Sequence, residues 1–431
     1  MKFQSFLCLF AVTTFACASN ADEYAGYKAV TSMDDIQINQ RKVPDDDIWW
    51  NVRGEQMRWM HLNAHQLFPT VNVYRKGPVR MLDTNLMPAI GQTEVQLDTV
   101  TLTFDEFLDS EYSTAMGVVV LHKGKIVFER YPRMREFEKP IYWSVAKVMP
   151  ATVLRIMEER GEVDVSKNIE EYIPDLAQSD FAGVTVRNIL DMATGLDCQD
   201  EYEDRQSCYY QYSMAIGDGF REGGAPDNPY DFLKSLQVSK HAEQGTRFSY
   251  SGVNTFILAW LVEELTDRPF HDIFTEEIWQ YVGAEADASY IAYRYGIPLT
   301  HGGFLSNMRD LARFGLLFTP SFNVVSDRQV ISASHTEFIR SAGNPELLAN
   351  AGARPVEESG IEHNIYQWDR IHANGTFYKG GWGGQGLLVN PEQDLVAVFT
   401  SYFKEDYSET ELEPILFDVL ERHFGDAADV Q

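Results

Sequence analysis

Ser144-Val145-Ala146-Lys147 stands at the head of a helical pattern that runs from Val145 to Arg160. Val148, Val153, Leu154, Ile156 and Met157 give that helix its apolar face, and Gly161 gives it a stop. Residues three apart on a helix share a face, so the Ser144 hydroxyl and the Lys147 amine fall within reach of each other. A serine hydroxyl is a weak nucleophile at neutral pH and needs a base. A lysine buried among apolar walls or beside another cation loses basicity, and its neutral form takes the serine proton. At a helix start the serine amide also faces a developing oxyanion. The same spacing recurs in Ser401-Tyr402-Phe403-Lys404, but there it ends a predicted strand, where residues three apart face opposite sides. Taken by itself, Ser144 reads more readily as a helix N-cap. Two further segments decide for a nucleophile.

The first is Phe248-Ser249-Tyr250-Ser251-Gly252, which leads into a helical pattern from Asn254 to Glu264. A tyrosine there can carry a proton from the nucleophile to a leaving group. The second is Lys379-Gly380-Gly381-Trp382-Gly383-Gly384-Gln385, immediately before a strand-like run from Gly386 to Val389. Its glycines let the backbone approach a substrate closely, which places Lys379, Gly381 and Gly383 at the substrate. The Trp382 amide would complete an oxyanion hole with that of Ser144. It is not a phosphate loop, since no Lys-Ser/Thr follows and a strand comes next.

In this order, Ser144 with Lys147, then Tyr250, then Lys379 with Gly381, the three segments resemble the serine β-lactamase and penicillin-binding superfamily. The nearest likeness is to its class C-like branch, with carboxylesterases and 6-aminohexanoate-dimer hydrolases. The likeness spans roughly residues 100 to 425 and includes Asp191-Met192-Ala193-Thr194-Gly195-Leu196 and the turn at Pro391. It implies an α/β (α+β) fold of β-lactamase/transpeptidase type, an antiparallel sheet flanked by helices with an inserted, mostly helical region. It also implies Ser144 as nucleophile, Lys147 as base, Tyr250 as proton carrier, and Ser144 and Trp382 amides as oxyanion hole. Two departures bear on substrate. Gly252 stands where lactamase-like members carry Asn, with Asn254 as a partial substitute or a helix-start residue. Gly380 stands where they carry Thr. Both losses favour an esterase or amidase over β-lactam turnover. Pro150, inside the predicted helix, is expected to kink it.

Outward from these motifs, Met116–Leu121, the turn Lys123-Gly124 and Ile126–Tyr131 read as a β-hairpin. Gly386–Val389 and Leu395–Ser401 are two more strands, and a helix from about Glu409 to His423 closes the chain. The sheet is thus predicted from about 101–140 and 376–425, the helical region from about 150–365, and the cleft where they meet. Residues 22–100 form an extension packed on the body, since Trp50 and Trp59 do not suit a free tail.

Residues 1–21 read as a secretory signal peptide: Lys2, an apolar run from Phe6 to Phe15, then small residues. Cleavage after Ala18 or Ala21 is one reading, and lipid acylation of Cys17 is another. Cys198 and Cys208 remain in the body, to be paired as a disulfide in an oxidising compartment or left as free thiols. A formal charge of −28 argues against nucleic acid and anionic membrane as partners. No later apolar run is long enough for an integral membrane span. The ten histidines show no metal-ligand spacing, so neither metal nor cofactor is expected. The sum is an exported (periplasmic or secreted) serine hydrolase acting on a small-molecule ester or amide, of open oligomeric state. A peptidoglycan D,D-peptidase, a β-lactamase and a non-catalytic penicillin-binding-like sensor are the alternatives.

Overall fold

Residues 50–219, 223–408 and 412–425 are described by a computed structural model. The signal-peptide reading, Cys8, Cys17 and the extension up to residue 49 lie outside these residues. The turn Lys123-Gly124 takes positive φ at both positions, +49° and +72°, the pattern of a type I′ turn whose twist suits a hairpin. It joins β1 (Gly117–His122) to β2 (Lys125–Arg130). Five more strands come late in the chain: β3 (Ile361–Ile365), β4 (Trp368–His372), β5 (Phe377–Gly381), β6 (Gln385–Asn390) and β7 (Leu395–Thr400). Together they form one antiparallel sheet of order β2-β1-β7-β6-β5-β4-β3. Both ends of the chain therefore meet at β1 and β7, where Val119 faces Val398 and Leu121 faces Val396.

The β3–β4 hairpin departs from the expectation that the helical region reaches residue 365. Its turn, Tyr366-Gln367, holds positive φ at both positions, +46° and +68°, without the Asn or Gly that normally marks such a turn. Neighbouring segments hold it instead. The Tyr366 amide donates to Asp191, and the Gln367 amide group donates to the carbonyls of Ile189 and Leu190.

Alternation along the strands splits the sheet between two cores. Val119, Leu121, Leu387, Val389, Val396 and Val398 face the larger core, with the helical region. Val118, Val120, Leu388, Ala397 and Phe399 face the smaller core, closed by α5 (Leu412–Phe424). On the larger side lie α1 (Gly54–Leu67), α2 (Val148–Glu159), α3 (Gly252–Thr266) and α4 (Met308–Leu316). From α1 and its approach, Trp50, Val52, Met57, Trp59, Met60 and Leu62 are buried in that core. Burial of each such side chain is worth about 1.5–3 kcal/mol, enough to hold the segment onto the body.

Ser144 does not open an α-helix directly. Trp143–Lys147 is a 3₁₀ turn, and α2 begins at Val148. Pro150 is thereby in the first turn of α2, where its missing N–H costs least, and no kink is needed. Among the described residues no helix is long and apolar enough to cross a membrane.

Candidate active site

Ser144 lines a cleft of about 820 Å³ walled by the segment before α1, the helical region and Trp382 from the β5–β6 turn. The residue before it, Trp143, is held at φ +47°, a left-handed conformation that a bulky side chain adopts only when its surroundings impose it. The Ile141 amide donates to His61 O and the Tyr142 amide to Phe304 O, which fixes the chain entering the turn. Lys147 is buried, and its Nζ donates to Ser144 Oγ at 3.2 Å and to His301 O at 2.8 Å. Burial pulls the Lys147 ammonium down to about 8, with the Lys379 cation acting in the same direction and Asp200 against it. Near neutral pH the amine is thus partly free to accept a proton.

Tyr250 approaches from the segment before α3 and lines the same cleft as Ser144. Its ring lies against both ammonium groups, 4.9 Å from Lys147 Nζ and 4.7 Å from Lys379 Nζ. Lys379 Nζ donates to the Tyr250 hydroxyl at 3.1 Å and to Asp369 Oδ1 at 2.5 Å. Asp369 Oδ2 accepts the Gly380 amide, so one carboxylate on β4 anchors both the lysine and the strand carrying it. Burial, then Asp369 and Asp200, hold the Tyr250 hydroxyl well above its ordinary value, so it stays protonated and able to donate.

The sequence motifs thus converge, but not all at the substrate side. Lys379 is fully buried behind Tyr250, and neither it nor Gly381 nor Gly383 lines the cleft. The sequence expects these three to bind substrate; in the structure Gly381 and Gly383 pack against the Ser144 turn and His61. Gly381 passes so near the Ser144 turn that a Cβ there would sit 2.3 Å from Tyr142 O and 3.2 Å from Ser144 N. A Cβ on Gly383, at φ +78°, would sit 2.7 Å from the His61 ring. Trp382, by contrast, lines the cleft and is 39% exposed at its mouth. Asn254 neither reaches the cleft nor caps α3; it is buried, with Nδ2 3.4 Å from Met192 Sδ. The space an Asn at 252 would fill is taken, since a Cβ on Gly252 would lie 2.4 Å from the Tyr209 hydroxyl.

A second wall of the cleft, bonded through Asp200 to the Tyr250–Gly252 segment, carries residues that no motif announced. Cys198 and Cys208 are joined in a disulfide, and the loop they close holds Asp200 and Tyr202. Asp200 is half-buried and accepts the Gly252 amide at 2.6 Å; desolvation raises its pKa, and the Lys147 ammonium opposes this. Asp218 accepts from Trp50 Nε1 at 2.8 Å and from Tyr202 OH at 3.0 Å, and burial pushes it up to about 7. His301 lines the same wall, with burial and Lys147 holding it well below its ordinary value and hence neutral. Among the described residues no cluster of acids, histidines and cysteines forms a metal site.

The family model "Beta-lactamase" matches residues 100–414. A 6-aminohexanoate-dimer hydrolase of Paenarthrobacter ureafaciens is 26% identical over 358 residues, 82% of this chain and 87% of that protein. Among solved structures, a Bacillus anthracis protein proposed to be a 6-aminohexanoate-dimer hydrolase superposes with a TM-score of 0.75 at 24% identity. It covers 89% of this chain and 97% of its own. A family VIII carboxylesterase superposes at 0.51 and 16% identity, over 74% of this chain and 94% of its own. Both share the antiparallel-sheet and helix architecture described above. With a family match over more than half its length, the chain belongs to the Beta-lactamase family and is a serine hydrolase within it.

Proposed function

We propose that this protein is an exported hydrolase that cleaves an amide or ester through an acyl-enzyme on Ser144. The observation that carries the reading is Lys147 Nζ 3.2 Å from the Ser144 hydroxyl, with the Tyr250 ring 4.9 Å from the same nitrogen. Neutral Lys147 takes the Ser144 proton as Oγ attacks the substrate carbonyl carbon. The Ser144 amide, in the first turn of a 3₁₀ segment, and the Trp382 amide then meet the negative oxygen. As the C–N or C–O bond breaks, Tyr250 donates its proton to the leaving atom and regains one from the Lys147 ammonium. Water attacks the ester on Ser144, its proton passes back through the same groups, and a carboxylic acid leaves.

The charge of the second wall narrows the substrate class. Asp200 and Asp218 face the cleft and, when ionised, favour a cationic group beside the scissile bond. A relative is named for the 6-aminohexanoate dimer, an amide with an ammonium at one end, which fits such a wall. Tyr209 in the space of an Asn at 252 supports amide or ester cleavage over β-lactam turnover. For export, support comes from the signal-like residues 1–21 and from the disulfide, which an oxidising compartment preserves.

A fluorophosphonate probe with peptide mapping tests the nucleophile: labelling of folded protein is expected at Ser144, and its absence would sink the reading. Turnover of amino-terminated amides and p-nitrophenyl esters against nitrocefin ranks the substrates; nitrocefin as the best of them would overturn the esterase or amidase reading. Cleavage of residues 1–21 and recovery outside the cytoplasm test export.

A further inference from the structure

We propose that His61, on α1, is a positioning residue of the catalytic centre: one neutral imidazole that sets the segments carrying both proposed oxyanion amides. The inference rests on the reading of Ser144 as nucleophile. Helix α1 lies outside residues 100–414 and contributes no residue to the three motifs.

The His61 ring is fully buried and touches three parts of the site. Its Nε2 accepts the Trp143 indole N–H at 2.9 Å. An indole nitrogen only donates, so Nε2 is unprotonated and Nδ1 carries the hydrogen. Nδ1 then donates to Ser401 O, 3.0 Å away, at the end of β7. The third contact is with Gly383, whose lack of a side chain lets the β5–β6 turn rest on the ring. Burial holds the imidazole down to about 3, so it remains neutral throughout the working range.

These contacts have one direction of effect. Trp143 is the left-handed residue immediately before Ser144, and its side chain is tethered by His61. Trp382, the second proposed donor, is the residue immediately before Gly383 in the turn lying on the same ring. The spacing between the Ser144 and Trp382 amides is therefore referred to a common, rigid group. An oxyanion exists only in the transition state and the tetrahedral intermediate, so misplacing those amides lowers kcat and leaves KM nearly unchanged. A purely structural histidine would lower the melting temperature and leave the rate of the folded fraction alone.

The experiment compares His61→Leu, His61→Gln and Trp143→Phe in the full chain, at a temperature where each is folded by circular dichroism. Readouts are kcat and KM on a p-nitrophenyl ester and the rate of fluorophosphonate labelling at Ser144. His61→Leu is expected to lower kcat and labelling about 10- to 100-fold, with KM within about threefold. His61→Gln, whose side-chain carbonyl can still accept the indole N–H, is expected to recover most of that loss. Trp143→Phe is expected to slow labelling like His61→Leu, and the double variant to be no slower than the slower single. Parental labelling by folded His61→Leu, or a Gln variant as slow as Leu, would overturn the proposal. If His61→Leu does not fold, Trp143→Phe decides: unchanged kcat overturns the proposal. A parent protein that is never labelled overturns the Ser144 reading and this inference with it.

Discussion

The two walls of the cleft differ in charge, in origin and in how their polar groups are satisfied. The Ser144 wall holds two buried lysines, Lys147 and Lys379, joined through Tyr250 and anchored by Asp369. The second wall holds two carboxylates, half-buried Asp200 and buried Asp218, supported by a backbone amide and by the Trp50 and Tyr202 side chains. Cations on one side and acids on the other let each keep the opposite partly charged. Burial dominates all the same, and the outcome is a lysine near 8 facing an acid near 7. The difference teaches a division of labour. On the proposed function, the first wall makes and breaks the bond, and the second chooses what is presented to it.

That division breaks most visibly at Lys147. Lys147→Ala is expected to lower kcat on both neutral and cationic substrates about 10³-fold, since a general base is worth 10²–10⁴. Fluorophosphonate labelling at the parental rate would remove Lys147 from its role. Next comes Asp369→Asn, which leaves Lys379 buried without its carboxylate. A loss of roughly 3 kcal/mol in urea unfolding is expected, the scale for one partner removed from a buried pair, together with slower acylation. Stability unchanged within error would show that Tyr250 alone satisfies Lys379.

On the other wall, Asp218→Asn is expected to cut kcat/KM about tenfold for amino-terminated amides, the scale of one charged hydrogen bond, and to spare a neutral ester. Equal losses on both substrates would erase the proposed distinction between walls. The smallest chemical change is pH. With Lys147 at about 8, kcat/KM for a neutral ester should rise about tenfold from pH 7 to 9 as the base loses its proton. Stability follows the same sign. Between about 8 and 10.5 the unfolded chain holds a proton on Lys147 that the folded chain does not, so this group's contribution grows as pH rises through that window. A flat rate profile through pH 8 would place the base elsewhere.

The first wall is largely legible in the sequence, because its chemistry is written in short local spacings. Ser144 and Lys147 are three residues apart, and a helical turn of either type brings them together. The β1–β2 hairpin was legible for the same reason, with Gly124 at a position that needs positive φ. The β3–β4 hairpin was not: Tyr366-Gln367 carries no turn signal, and contacts from Asp191, Ile189 and Leu190 impose its shape. Asp369 sits beside that turn and was missed with it. A glycine signals close approach but not what approaches; at Gly381 and Gly383 it is Tyr142, Ser144 and His61.

By itself, then, the sequence determined the architecture, the three-part motif and the Cys198–Cys208 pair as one of two readings. Those features depend on contacts a few residues apart, or on an order of segments shared with a family. Only the tertiary structure decided which groups stand behind the motif and which stand across from it. Trp50, His61, Asp200, Asp218 and Asp369 come from separate stretches, and the loop and helix packing that brings them together is set by burial in a common core. Their protonation states are equally a tertiary matter, because burial, the largest cause at Lys147, Asp218 and His61, exists only once the chain has folded.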